Sequence, residues 1–116
     1  MVDHKNLENL IKNAHFVRAV KEAETLKLSR DKIRSLQHKA LCQMSACYRN
    51  AKGTKILSQK YGYSKENLRE ILEDCICNLK KQGKTKFLDI CYDSVSGCYL
   101  SFEEWLRNFL KNWDKL

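Results

Sequence analysis

Thr54 to Leu79 reads TKILSQKYGYSKENLREILEDCICNL and carries the strongest helix signals near the centre of the chain. Leu57 and Tyr61 are four apart and share one helical face. Gly62 follows, where a left-handed backbone ends a helix at little cost. Ser64 is a good N-cap, with Glu66 in the first turn of the next helix. Leu68, Ile71, Leu72, Cys75, Ile76 and Leu79 then recur at helical spacing. The pattern predicts a short helix over Thr54–Tyr61, a glycine corner, and a longer helix over Ser64–Lys81.

Working outward, Ile33 to Ala51 predicts another helix. Ile33, Leu36, Ala40, Ala46 or Cys47, and Ala51 form its seam, widened by Leu41, Met44 and Tyr48, and Lys52-Gly53 is read as its end. With the corner it makes a three-helix unit over residues 29–82. Upstream, Asn6 to Leu26 places Leu7, Leu10, Ile11, Ala14, Val17 and Val20 on one broad face, as a single amphipathic helix does. His15 falls off the centre of that stripe and reads as a surface residue. Ser29 can cap the next helix, with Asp31 in its first turn.

After Gly83 the period changes. Thr85–Tyr92 (TKFLDICY) fits a short strand or a short helix about equally. Asp93-Ser-Val-Ser-Gly97 is turn chemistry, and Cys98–Leu100 can return as a second strand. Ser101 and Glu104 make a capping box. Phe102, Trp105, Leu106, Phe109, Leu110 and Trp113 then form one apolar stripe over the C-terminal helix, residues 101–116. The expected fold class is mainly α: one small domain of four to five helices, with a hairpin or loop at 83–100. The stripe with Trp105, Phe109 and Trp113 packs into the core, or binds a protein partner or a second copy of the chain.

The 116 residues carry 22 Lys and Arg against 14 Asp and Glu, a net charge of +8 that favours anionic partners. The absence of proline and only 4 glycines favour long helices. No run of about 18 apolar residues is present, so no membrane span is expected. Met1–Leu10 lacks the apolar centre of a signal peptide, which leads to an expected cytoplasmic location. Free thiols are therefore expected at all six cysteines, with Cys42, Cys47, Cys75 and Cys91 as small buried residues and Cys77 exposed. Two metal readings compete with this one. Cys75, Cys77, Cys91 and Cys98 could supply four thiolates, although Cys75 and Cys77 diverge by about 200° on a helix. His38 and Cys42 could supply half a site. No metal, cofactor or catalytic motif is expected: there is no glycine-rich phosphate loop or nucleophile elbow, and His4, His15 and His38 lack partners at helical spacing.

The corner resembles the helix-turn-helix motif of DNA-binding proteins over about residues 54–73. Ser58 stands at its small position, Gly62 at its turn glycine, and Leu68 and Leu72 at its buried positions. The resemblance implies that Ser64–Lys81 enters the groove of double-stranded DNA, with Lys65, Asn67 and Arg69 at its N-terminal end making contacts. Lys39, Arg49, Lys52, Lys55 and Lys60 crowd the same corner. Lys80, Lys81, Lys84 and Lys86 form a basic knuckle around Gly83, read first as a solvated helix end whose cations suit the C-terminal dipole and alternatively as a phosphate contact. Against a DNA-facing helix stand Glu66, Glu70 and Glu73, opposite the apolar stripe. A hairpin after such a helix resembles the wing of winged-helix proteins, without a visible third strand. The implied function is a small basic nucleic-acid binder, a transcriptional regulator of helix-turn-helix type. The alternative is a helical adaptor that binds protein without catalysis.

Overall fold

Local capping chemistry sets the path of the chain. In the computed structural model, which describes residues 5–116, six α-helices run in order. They are α1 (Lys5–Lys12), α2 (Phe16–Thr25), α3 (Arg30–Cys42), α4 (Ala51–Lys60), α5 (Lys65–Lys81) and α6 (Phe102–Lys111). Two antiparallel strands, β1 (Cys91–Asp93) and β2 (Cys98–Leu100), lie between α5 and α6. His4 lies outside the described residues.

Several ends follow the sequence signals. Ser29 Oγ accepts from the Lys32 amide (3.3 Å) and Ser64 Oγ from the Asn67 amide (3.1 Å). At Ser101 both halves of the capping box are made, at 3.2 and 3.1 Å. Gly62 (φ 84) and Gly83 (φ 71) end α4 and α5. The amide after each glycine closes the last turn: Tyr63 N–H donates to Ser58 O and Lys84 N–H to Leu79 O, both at 2.9 Å.

Other ends differ from the sequence reading. The single helix expected over Asn6–Leu26 is broken into α1 and α2. Ala14 takes φ 57, and His15 N–H donates to Leu10 O at 2.8 Å, the same closure without a glycine. A left-handed alanine costs about 1–2 kcal/mol, so nothing local announces it. The compensation is tertiary: Gln43 Nε2 donates to Ala14 O (2.8 Å), and α2 packs against both α1 and α3.

The helix expected over Ile33–Ala51 also stops early. After α3 the chain opens into a π-helical turn, Gln43–Cys47, and reverses at Arg49 (φ 51). Buried Ser45 donates to Leu41 O (2.8 Å) in this widened turn. Gly53 is not a terminator. It sits in the first turn of α4, where its amide donates to the Asn50 side chain at 2.8 Å. Thr85–Tyr92 combines both of its readings: a 3-10 turn at Thr85–Leu88, then β1.

The core collects the stripes read from the sequence. Leu68, Ile71, Leu72, Cys75, Ile76 and Leu79 of α5 are buried together with Leu36, Ala40 and Leu41 of α3. From α6, Phe102, Trp105, Leu106 and Phe109 join the same cluster. Cys42 and Cys75, with Cα atoms 5.8 Å apart, form a disulfide between α3 and α5. This corrects the expectation of six free thiols: packing α3 on α5 brings together two cysteines 33 residues apart. Cys47 and Cys91, expected to be buried, are exposed free thiols, as are Cys77 and Cys98.

Among the described residues, one buried side-chain oxygen lacks a hydrogen-bond partner. Tyr61 Oη is enclosed with no hydrogen bond, and burial, aided by Glu24, pushes its pKa up to about 12. The folded value lies above the unfolded value, so this contribution is complete below pH 10 and is lost as pH rises toward 12. Tyr61→Phe removes the orphan hydroxyl and should be neutral or stabilising by up to about 1 kcal/mol. It should also remove this residue's share of the alkaline stability loss. Urea melts at about pH 8 and about pH 11 check this, and an unchanged alkaline loss in the Phe variant contradicts it.

Candidate nucleic-acid interface

The charged residues singled out in the sequence separate into three groups. Lys55 is turned inward. Its ammonium donates to Trp113 O (2.7 Å) and Leu116 O (3.2 Å) and lies 5.2 Å from the Trp113 ring centre. It therefore ties the C-terminal turn to α4 and has little left for a ligand. Arg69 pairs with Glu66 at 3.0 Å, and Lys80 with Glu103 at 3.1 Å. Such exposed pairs are worth about 0–1 kcal/mol and yield to a stronger anion.

The third group is free of carboxylate partners among the described residues: Lys60, half-buried Lys65, Lys81, Lys84 and Lys86. Asn67 is exposed in the first turn of α5, where its amide serves the Ser64 cap. The outward face of α5 is divided along its length. Glu66, Glu70, Glu73 and Asp74 are exposed over its first two-thirds, whereas Lys80 and Lys81 occupy its last turn. Positive charge thus gathers where α5 ends and the 3-10 turn begins.

Arg49 organises that end of the molecule. From the reversal after the π-helical turn, its guanidinium donates to Ala46 O (3.1 Å), Phe87 O (3.1 Å), Asp89 O (2.8 Å) and Leu100 O (3.1 Å). It also lies 5.3 Å from the Phe102 ring centre. One side chain thereby fixes the turn at 85–88 and the base of the hairpin to the helical body. Burial lowers its pKa, offset by Cys91, Asp93 and Cys47, but a guanidinium stays charged at any working pH. Arg49→Lys keeps the charge and loses the fork. It should cost about 1.5–3 kcal/mol and speed amide exchange in the hairpin. Unchanged exchange at Tyr92 and Tyr99 rules out this clamping role.

Lys84, Lys86 and Arg49 all act electrostatically on Cys47. The Cys47 thiol is nevertheless pushed up, because desolvation outweighs the three cations, so it is not an activated nucleophile. The two metal readings are closed by the disulfide, which consumes Cys75 of one set and Cys42 of the other. Among the described residues no group of three or more His, Cys, Asp or Glu side chains is placed to hold a metal ion.

The hairpin beside this basic end has two unlike faces. Its register pairs Cys91 with Leu100, Tyr92 with Tyr99, and Asp93 with Cys98. Leu100 and Asp93 are buried, which turns Tyr92 and Tyr99 outward. The Asp93 carboxylate accepts from the Val95 (3.4 Å) and Ser96 (3.1 Å) amides and caps the loop. Neither Arg49 nor the tyrosine pair was singled out as a site residue from the sequence. The tyrosines had a usable signal, since one stands directly before the DSVSG turn and the other two residues after it. Arg49 counted only among the basic residues crowding the corner, and its clamping role had no signal, because three of its carbonyl partners lie 38 to 51 residues away.

Of the aromatic residues expected to meet a partner, Trp105 and Phe109 are 2% and 3% exposed and fill this chain's own core. Trp113 is half-buried over Lys55. A partner surface on α6 would have to do without its two main anchors. No helix among the described residues is long and apolar enough to cross a membrane. No known protein family, curated protein or solved structure matches this chain.

Proposed function

We propose that this chain is a small basic nucleic-acid-binding domain that grips phosphates with Lys81, Lys84 and Lys86, with the hairpin beside them in the place of a wing. The observation that carries this reading is the gathering of exposed lysines without carboxylate partners among the described residues at the end of α5, next to a hairpin clamped by Arg49. Phosphate binding needs accessible cations on a fixed base, and the exposed lysines beside the Arg49 clamp support this reading. A helix-turn-helix regulator is the form of the proposal in which Lys65 and Asn67 also enter the groove of double-stranded DNA. The acidic exposed face of α5 weighs against deep insertion of that helix. A cytoplasmic location belongs to the same proposal; the four free thiols favour it and the Cys42–Cys75 disulfide weighs against it.

Binding to random duplex DNA should weaken steeply between about 50 and 200 mM salt. Lys84→Ala and Lys86→Ala should each reduce the salt slope by about one unit and lower affinity on every sequence alike. Fluorescence anisotropy across a salt series measures both. Absence of binding at low salt would refute the proposal. A second reading, a protein adaptor, rests on Glu66, Glu70, Glu73 and Asp74 along α5. Glu70→Lys should raise DNA affinity if α5 lies near the duplex, and should abolish capture of a basic partner if that face docks protein.

A further inference from the structure

Four of the seven large hydrophobic side chains exposed among the described residues, Ile90, Tyr92, Val95 and Tyr99, lie within ten residues of one another on the hairpin. Tyr92 and Tyr99 are 57% and 71% exposed, with ring centres 5.4 Å apart and planes inclined at 63°. A cross-strand pair of this kind steadies a hairpin modestly. It also leaves ring faces open to solvent, held in place by their mutual edge contact. Ile90 continues the same outward alternation, so the exposed surface exceeds what pairing two three-residue strands requires.

Charge tells what covers this face. The segment 84–99 carries Lys84 and Lys86 against a single exposed carboxylate, Asp89, because Asp93 is buried in the loop cap. Arg49 holds the turn that bears these lysines against the hairpin base through Phe87 O, Asp89 O and Leu100 O. Lys86 and Tyr92 are six residues apart, so their Cα atoms are within about 20 Å. Cations for a backbone and flat rings for bases therefore belong to one short segment, residues 84–99, whose turn and hairpin base are pinned together by Arg49. Arg49 acts only as a positioning residue, with four of its five N–H donors taken up by carbonyls.

We infer that the outward face of the hairpin is a stacking platform for the bases of single-stranded nucleic acid, with Tyr92 and Tyr99 as the stacking rings. This rests on the nucleic-acid reading above and adds the kind of strand. A duplex hides the faces of its bases inside the stack, so the tyrosines can serve only unpaired bases, whereas the lysines serve the phosphates of either form.

The probe is an oligothymidine of about 12 nucleotides, compared with the same strand annealed to its complement, at about 50 mM salt. The combined Tyr92→Ala and Tyr99→Ala variant should bind the single strand at least about 10-fold more weakly and the duplex unchanged. Tyr92→Phe with Tyr99→Phe should retain single-strand binding, because the ring faces remain. Ultraviolet crosslinking of the unaltered protein should join thymine to Tyr92 or Tyr99, located by peptide mass spectrometry. Unchanged single-strand affinity in the alanine variant overturns the inference, as do crosslinks confined to other residues. Equal loss on duplex and single strand does so too. A dimer in sedimentation that the alanine variant dissolves assigns the face to a second copy and also overturns it. Duplex binding with no single-strand preference removes this inference alone. No binding of either probe at low salt removes the nucleic-acid reading with it.

Discussion

Trp105→Ala should destabilise the protein by about 3–5 kcal/mol, a large share of the 5–15 kcal/mol that holds a typical domain folded. The indole is 2% exposed and lies between two rings of its own helix. Phe102 is centred 5.5 Å away at 21° and Phe109 5.0 Å away at 12°. Trp113 then closes the row edge-on against Phe109 at 5.5 Å. Truncation removes the central ring and leaves a cavity that helix α6 cannot close without losing its register on α5. Urea unfolding should show a lower midpoint with an unchanged slope. A variant that keeps its midpoint but loses a dimer would mark the stripe as an interface instead.

Replacing both Cys42 and Cys75 by alanine should cost about 3–4 kcal/mol, from the chain entropy released to the unfolded state when a loop of this length is opened. The bridge spans 33 residues and ties the end of α3, just before the π-helical turn, to the middle of α5. That tie holds the platform on which the basic end stands. A reductant should lower the melting temperature of the unaltered protein and leave the double variant unaffected. Peptide mapping without reduction should recover Cys42 linked to Cys75 and Cys47, Cys77, Cys91 and Cys98 as thiols. If reductant leaves the unaltered protein's melting temperature unchanged, the two cysteines merely pack.

The two predictions rest on different kinds of information. The sequence by itself determined the mainly helical class, the Gly62 corner, the Ser64 and Ser101 caps, and the buried stripes of α5 and α6. It also marked the turn from Asp93 to Gly97. Each of these is written in spacings of four residues or fewer, or in a cap and its helix, where the partners are chain neighbours.

The remaining features depend on contacts between distant parts of the chain. The breaks at Ala14 and Arg49 put non-glycine residues in the left-handed region, which local propensity opposes and distant contacts sustain. The pairing of Cys42 with Cys75, the inward turn of Lys55 and the fourfold carbonyl grip of Arg49 join residues 33 to 61 apart, apart from the Ala46 bond. Periodicity places a residue on a face of its own helix. What that face meets depends on how the helices are stacked, and that is fixed only when the core closes.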